Sequence, residues 1–360
     1  MPELYFTPGP TALYYTVEEH LKKALKTGVT STSHRGQQFK DIYKQCANNL
    51  RQLMDIPEGY VILITSSANE AWERIILNCV DRHSYHLLMG PFSARFEKVA
   101  TDLKVNTAIL KVADGKAPEF SDVQPRDEDE LLAICLNESG TGAAVPLELI
   151  YDLRAKFPEK LIAIDGVSGV PVYPVDFKKV DTLYFSVQKA FGLPAGLGIW
   201  IVNDRCLNKA KQLADKGKTI GSYHKLPEMV EKAANFQTTE TPNILGIYLL
   251  AKVAEDMLTK GLAAIRREID YKSAILDKAI EDHPNLSQFV KEDKWRSKTV
   301  KVAQTDFDSA RLIEFLSARK MNIGTGYGSY KTEQIRIANF PTHSKEQVEM
   351  LVDAIARFKV

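Results

Sequence analysis

Apolar residues alternate between two spacings over residues 39–202. Short apolar runs, typical of buried strands, are separated by stretches in which apolar residues recur every three or four positions, as on one face of a helix. The runs predict strands at Val61–Ile64, Tyr85–Met89, Thr107–Lys111, Leu131–Leu136, Leu161–Ile164, Thr182–Ser186 and Gly198–Val202. The helical stretches lie at 39–54, 70–79 and 147–156. This alternation predicts an α/β fold with a mostly parallel, seven-stranded sheet covered by helices on both faces.

The pattern changes after residue 243. Two long helical stretches come first, and a smaller α+β pattern follows them, with strands and helices at 244–260, 261–282, 299–303, 309–318, 334–338 and 344–356. We therefore predict three parts: an N-terminal arm at 1–15, a large domain at 16–250 and a smaller α+β C-terminal domain at 251–360.

Composition and charge narrow the classes of partner. Lys and Arg number 47 against 46 Asp and Glu, and the net charge of +1 gives no reason to expect nucleic acid or an anionic membrane as a partner. No apolar run is long enough to span a membrane. The start, MPELYFTPGP, lacks the basic and apolar regions of a secretion signal. Cys46, Cys79, Cys135 and Cys206 stand singly in apolar stretches, so we expect a reduced, cytoplasmic location.

Candidate chemistry stands directly after the predicted strands, where open parallel sheets bind ligands. Asp165 follows one strand, and Gln188 and Lys189 follow another. Three further strands are followed by small, polar or aromatic residues, namely Ser67, Ala68, Asn69, Phe92 and Ser139. Taken singly, each has an ordinary structural explanation: Asp before Gly commonly caps a turn, Ser caps a helix, and a lysine after a strand is usually solvated.

The combination fits the needs of pyridoxal 5′-phosphate (PLP). The aldehyde of this cofactor requires a lysine, and its pyridine nitrogen requires a carboxylate that keeps the ring protonated. The phosphate requires a helix N-terminus, and the ring requires a flat face to stack on. We therefore predict a PLP enzyme in which Lys189 bonds to the cofactor, Asp165 pairs with the ring nitrogen, and no metal takes part.

A family resemblance supports this hypothesis. The stretches AIDGVSGVPVYPVDF and VDTLYFSVQKAFGLPAGLGIW within 161–200 resemble the cofactor core of class V aminotransferases, and FTPGPTAL resembles their N-terminal FxPGP segment. The phosphoserine aminotransferases are most similar, and the alanine–glyoxylate/serine–pyruvate branch is close. The resemblance implies a fold type I, aspartate-aminotransferase-like PLP transferase that acts as a transaminase.

The resemblance also implies roles for single residues. Ser67, Ala68 and Asn69 would hold the cofactor phosphate, Phe92 and Val167 would cover the two ring faces, and Ser139 would lie near the ring hydroxyl. Gln188 precedes the lysine as in the family's motif. Glu240-Thr241-Pro242 resembles an Asn-Thr-Pro segment in which Thr241 would reach the phosphate of the partner subunit, which implies a homodimer with shared sites. Glu240 replaces the family's Asn.

The substrate residues match the phosphoserine branch in part. Ser33-His34-Arg35 resembles the motif whose His and Arg hold the substrate phosphate, and Arg336 matches the arginine that binds the α-carboxylate. A second His-Arg anchor of that branch is missing, because residues 327–331 read Tyr-Gly-Ser-Tyr-Lys here. The resemblance implies phosphoserine formation from 3-phosphohydroxypyruvate and glutamate. An alanine–glyoxylate or serine–pyruvate type of reaction, on a substrate without phosphate, is the alternative.

Three other classes of protein fit less well. A dinucleotide-binding oxidoreductase needs GxGxxG directly after a strand, and the glycine-rich segment at 324–328 lies late in the chain without the third glycine. A cysteine desulfurase needs a reactive cysteine in the C-terminal part, whereas the last cysteine is Cys206. A non-catalytic binding protein of this fold would have no reason to keep both Lys189 and Asp165.

Overall fold

The computed structural model describes residues 3–360, and two sheets form its framework. Its strands are β1 Leu4–Phe6, β2 Tyr60–Thr65, β3 His83–Leu88, β4 Asn106–Lys111, β5 Leu131–Cys135, β6 Asn137–Glu138, β7 Ala143–Ala144, β8 Leu161–Asp165, β9 Thr182–Ser186, β10 Gly198–Asn203, β11 Leu286–Gln288, β12 Val300–Thr305, β13 Met321–Thr325 and β14 Gln334–Ala338. Its helices are α1 Val17–Lys26, α2 Gln37–Leu53, α3 Ala68–Cys79, α4 Pro91–Asp102, α5 Leu147–Lys156, α6 Asp204–Asp215, α7 Leu226–Ala234, α8 Ile244–Lys260, α9 Leu262–Asp282, α10 Ala310–Ser317 and α11 Lys345–Ala356.

The large sheet is mostly parallel, as predicted. Among the described residues it has seven strands in the order β2-β10-β9-β8-β5-β3-β4, and only β10 runs antiparallel to its neighbours. Every residue of β5, β8 and β9 is buried, because helices cover both faces of the sheet. Burial on both faces explains why these strands are unbroken apolar runs in the sequence.

The smaller sheet has the order β1-β13-β14-β12-β11 within residues 3–360. The N-terminal strand β1 pairs in parallel with β13, so the first described residues join the C-terminal part of the chain. The apolar pattern did not predict β1, β11 or β13, because β1 and β11 are short and β13 is only partly buried. In the described chain, no helix has both the length and the apolar character that crossing a membrane requires.

Helix α9 connects the two cores. Ile265 and Ile269 pack into the core of the large sheet, whereas Leu276 and Ile280 pack into that of the small sheet. The predicted boundary at 250/251 falls inside α8, and α8 packs along α1 and α2. We therefore propose that the division between the large and small domains lies in α9.

The N-terminal arm is fixed between the two parts. The ring of His343 stacks on Phe6 at 4.9 Å between centroids, and its Nε2 lies 2.9 Å from the carbonyl oxygen of Tyr5. The buried Lys272 of α9 donates to the carbonyls of Phe340 and His343 at 3.0 and 2.7 Å. The arm is thereby directed towards the carboxyl ends of β8 and β9.

Gly192 lies where the arm, the turn after β9 and the loop after β14 meet. Its φ is +57°, and a Cβ there would lie 2.3 Å from Cγ2 of Thr342 and 2.5 Å from the backbone nitrogen of Tyr14. Gly217 has a similar φ of +76°, but a Cβ there would contact nothing within 4 Å. The two glycines therefore share a backbone conformation and differ in crowding.

We expect Gly192→Ala to lower the free energy of unfolding by about 3 kcal/mol, because backbone strain and overpacking add up. Gly217→Ala, which has the strain alone, should lower it by about 1 kcal/mol. Chemical denaturation of both variants measures the difference. Equal losses would show that the three segments do not pack tightly at Gly192.

Candidate active site

A cavity of about 170 Å³ lies at the carboxyl ends of β5, β8 and β9. It brings together eight residues that the sequence singled out, namely Ala68, Asn69, Phe92, Ser139, Asp165, Val167, Gln188 and Lys189. Gly9, Pro10, Trp72, Cys135, Asn137, Ser168 and Ser186 complete its lining. The location is the one that an open parallel sheet provides for ligands.

Lys189 lies in the turn after β9, with 8% of its surface exposed. Its Nζ donates to the carbonyl of Pro8 and lies 5.9 Å from the centroid of the Phe92 ring. Burial, and after it the charge of Arg336, lowers the pKa of Lys189 to about 8. A lysine with this pKa has a substantial neutral, nucleophilic fraction near neutral pH.

Asp165 ends β8, and its side chain is buried. Its Oδ1 accepts a hydrogen bond from the backbone N–H of Val167 at 2.9 Å. Burial raises the pKa of Asp165 to about 6, against the lowering effects of that N–H, of the nearby Tyr184 and Trp72, and of Lys189. A cation in the cavity would favour the charged form of this carboxylate.

The N-terminus of α3 points its first amides at the same region. The N-cap Ser67 accepts from the backbone N–H of Glu70 at 3.2 Å, and the N–H of Ala68 donates to Oγ of Ser186 at 2.8 Å. Ser67 does not line the cavity in the single chain, since its hydroxyl caps the helix. Its role towards a cofactor stays a prediction.

Phe92 is positioned by Glu138, a residue that sequence reasoning missed. The buried Glu138 carboxylate accepts the backbone N–H groups of Phe92, Ser93 and Gly140 at 3.0, 3.1 and 3.1 Å, and thereby caps α4. Burial raises the pKa of Glu138 to about 7, although these N–H groups oppose the rise. Glu138 and Phe92 are 46 positions apart, so no local pattern indicates the contact.

Gly9 was recognised only as part of the FxPGP segment, and the structure gives it a steric reason. A Cβ on this residue would lie 2.4 Å from Nζ of Lys189. Its φ of +149° also lies in a region that other residues rarely adopt. Only glycine therefore lets the arm pass over the lysine at this distance.

Arg336, on β14 of the small sheet, does not line the cavity itself but contacts the lining residue Ser139. Its Nε donates to the carbonyl of Thr325 at 2.7 Å, and its Nη1 donates to the carbonyl of Ser139, a cavity residue, at 3.2 Å. The guanidinium carbon lies 5.4 Å from the centroid of the Tyr327 ring, which in turn lies 5.4 Å from the Phe92 ring. Two of five guanidinium N–H groups are thus engaged, and the others remain for a carboxylate.

Residues 327–331 carry two tyrosine rings and no His-Arg pair, and none of them lines the cavity. Besides the contacts of Tyr327, the hydroxyl of Tyr330 donates to Oδ2 of Asp114 at 3.0 Å. Lys331 is exposed, and its carbonyl accepts the hydroxyl of Ser309 at 3.1 Å.

His34, Arg35 and Thr241 do not line the cavity of their own chain. Arg35 and Thr241 are exposed, and His34 is half-buried. Arg35 Nη1 donates to the carbonyl of Thr238 at 3.0 Å, which fixes Arg35 against the segment that carries Thr241. The predicted substrate cation and the predicted phosphate-reaching residue therefore belong to one surface region.

The residues present fit PLP. Lys189 suits the aldehyde, Asp165 suits the ring nitrogen, the α3 N-terminus suits the phosphate, and Phe92 and Val167 suit the ring faces. Asn137 supplies an independent observation: within residues 3–360 its Nδ2 is buried without a hydrogen-bond partner, and the residue lines the cavity. An oxygen of a bound ligand would satisfy this donor.

Comparison with known proteins agrees with this chemistry. The family profile described as aminotransferase class-V matches residues 6–351. A phosphoserine aminotransferase of Rhodococcus opacus is 29% identical over 347 residues, which are 94% of this chain and 91% of the relative. The crystal structure of a phosphoserine aminotransferase from Cytophaga hutchinsonii is 43% identical, with a TM-score of 0.97 over 98% of both chains.

A PLP-bound phosphoserine aminotransferase from Trichomonas vaginalis has a TM-score of 0.83 over 98% of this chain and 99% of its own, and its 20% identity shows the fold alone. The fold is therefore that of fold type I PLP-dependent transferases, and PLP is the cofactor. On these grounds the chain belongs to the class V aminotransferases and is a transaminase.

Proposed function

We propose that this transaminase forms phosphoserine from 3-phosphohydroxypyruvate, with glutamate as the amino donor, and so serves serine biosynthesis in the cytoplasm. The observation that carries the proposal is the hydrogen bond from Arg35 to Thr238, which holds the cation of the Ser33-His34-Arg35 motif beside the segment of Thr241. A cation on that segment suits a substrate with an anionic distal group. The similar Rhodococcus and Cytophaga proteins bear the name of this activity.

The catalytic roles follow from the chain's own groups. When bound, PLP supplies an aldehyde that takes up the substrate's amino group and a ring that withdraws electrons from Cα. Lys189 would hold the cofactor through its aldehyde, and its amine, when free and neutral, would act as the general base towards the substrate's Cα proton and, once protonated, as the general acid that gives the proton up. Asp165 would keep the ring nitrogen protonated, and Arg336 would bind the α-carboxylate and fix its orientation.

Two active sites would be shared across a homodimer. Arg35 and Thr241 lie on the surface, away from the cavity of their own chain. Large apolar side chains are also exposed, including Leu13 at 50%, Tyr15 at 67% and Tyr223 at 54%. Leu13 and Tyr15 are near neighbours in the chain, and exposed apolar residues that lie together are typical of subunit interfaces.

A second candidate keeps the transamination and drops the substrate phosphate. Residues 327–331 carry no His-Arg pair, and Tyr327 packs its ring between Phe92 and Arg336. This arrangement favours a smaller or less charged substrate of the alanine–glyoxylate or serine–pyruvate type. The variants of Arg35 described below separate the two candidates.

Asp165→Asn should slow the half-reaction with an amino acid roughly 100- to 1,000-fold, because the amide no longer stabilises a protonated ring nitrogen. The change in cofactor absorbance during a single turnover measures the rate. Asp176→Asn is the matched control, since it changes an exposed helix-capping aspartate outside the cavity, and Asn caps as well as Asp. A near-normal rate for Asp165→Asn would remove the residue from the mechanism.

Arg336→Ala should reduce kcat/KM for phosphoserine, glutamate and alanine alike, by roughly 10- to 100-fold, because every substrate loses a charge-assisted hydrogen bond to its carboxylate. Arg35→Ala should reduce it for phosphoserine by a similar factor and leave alanine nearly unchanged. Arg319→Ala, an exposed arginine that also donates to a carbonyl, is the control. Equal losses for all three substrates in Arg35→Ala would show that Arg35 is structural.

Mixed dimers test the shared sites. In a heterodimer of Lys189→Ala and Arg35→Ala chains, one site would carry both defects and the other neither, so random exchange should restore about one quarter of wild-type activity with phosphoserine. The control pair is Lys189→Ala with Arg336→Ala, which should restore nothing because Arg336 lies at the cavity of its own chain. Absence of recovery in the first pair, with subunit exchange verified by two affinity tags, would contradict the shared site.

A further inference from the structure

A histidine lies between two glutamates behind the N-terminus of α3. His224 is 3% exposed, with Glu70 at its Nδ1 and Glu240 at its Nε2, the latter 2.7 Å away. A carboxylate only accepts hydrogen bonds, so both ring nitrogens must donate, and only the protonated ring has two N–H groups. Although burial acts to lower it, the two carboxylates raise the pKa of His224 to about 9.

Each glutamate lies on a segment proposed to hold a cofactor phosphate, Glu70 on the α3 turn of this chain's own site and Glu240 on the segment of Thr241 that would reach the partner's site. Glu70 lies in the first turn of α3, and its Oε2 accepts the N–H and the hydroxyl of Ser66 at 2.7 Å each. Glu240 directly precedes Thr241. Asn78 holds His224 in place over α3, since its side chain accepts from the N–H of Leu226 and donates to the carbonyl of Ile220.

We propose that His224 is a positioning residue for the cofactor phosphates. Its charge neutralises Glu70 and Glu240, and its two contacts tie the α3 turn, which would hold the phosphate of this chain, to the segment of Thr241, which would reach the phosphate of the partner subunit. The inference rests on the proposed function, in which each phosphate lies between α3 of one subunit and Thr241 of the other. It accounts for the one acidic departure from the family's Asn-Thr-Pro segment, because a glutamate before Thr241 requires a cation beside it if a dianionic phosphate is to bind nearby.

Two probes distinguish the loss of charge at His224 from a merely structural effect of its substitution. Pyridoxine 5′-phosphate and pyridoxine both lack the aldehyde, so neither bonds to Lys189, and they differ in the phosphate alone. Titration calorimetry on the full-length apoenzyme gives the ratio of their dissociation constants. A structural defect weakens the binding of both probes, whereas a defect in charge compensation weakens the binding of the phosphorylated probe alone.

His224→Gln should weaken the binding of pyridoxine 5′-phosphate roughly tenfold, which corresponds to about 1.4 kcal/mol. It should leave the binding of pyridoxine unchanged. His224→Gln combined with Glu240→Gln should recover most of the loss, because one uncompensated carboxylate is gone. Glu240→Gln alone keeps the cation and should bind the phosphorylated probe at least as tightly as wild type. This milder variant tests the proposal even where His224→Gln is unstable. His20→Gln, which breaks a 2.7 Å contact to Asp256 between α1 and α8, is the control.

Two results would overturn the role of His224 and leave the proposed phosphate site intact. One is an unchanged ratio of the two dissociation constants in His224→Gln, and the other is weaker binding of the phosphorylated probe in Glu240→Gln. A wild-type apoenzyme that binds the two probes equally would instead overturn the placement of the phosphate, and the inference with it. The substrate proposal is independent of these measurements, since neither probe contains an amino acid.

Discussion

The burial of opposite charges at one edge of the large sheet is the constraint on which the site depends. Asp165 ends β8, Lys189 lies in the turn after the neighbouring strand β9, and Glu138 lies close by, all three buried, while the half-buried Arg336 approaches from the small sheet. A buried charge is costly unless it is paired or hydrogen-bonded. Backbone groups offset this cost. The two cations donate hydrogen bonds to the carbonyls of Pro8, Thr325 and Ser139. The two carboxylates accept hydrogen bonds from the N–H groups of Val167, Phe92, Ser93 and Gly140.

The burial of strands decided which elements could be predicted from the sequence. The central strands are covered on both faces, so their apolar runs are continuous, and the predicted bounds differ from the structure by only one or two residues, as in β8 at Leu161–Asp165. Helix α1 was missed because Val17 and Ala24 are its buried residues, too few for a periodic stripe. The short strand β1 is stabilised by pairing with β13, more than 300 residues away, and no local pattern reports such a contact.

The same distinction applies to the site. Residues that directly follow a strand, such as Asp165, Lys189 and Asn69, could be predicted, because the topology of a parallel sheet brings its strand ends to one edge. Glu138 also follows a predicted strand, but its capping of α4 could not be predicted, and neither could His224, because each acts through partners far along the chain. The replacement of Asn by Glu240 was visible in the sequence, but its compensation by His224 requires the tertiary structure.

The N-terminal arm links the two ends of the substrate site through a single sheet. Strand β1 pairs with β13, and β13 pairs with β14, which carries Arg336. Two residues beyond β1, the carbonyl of Pro8 accepts from Lys189. The group that would bind the substrate's carboxylate and the group that orients the reactive amine are therefore attached to the same small sheet. Because His343 and Lys272 fix the arm to the loop after β14, any displacement of the small sheet relative to the large one would move both groups together. The distance between the Cα of a substrate bound at Arg336 and the amine of Lys189, on which proton transfer depends, would thus be set by the small sheet rather than by either side chain alone.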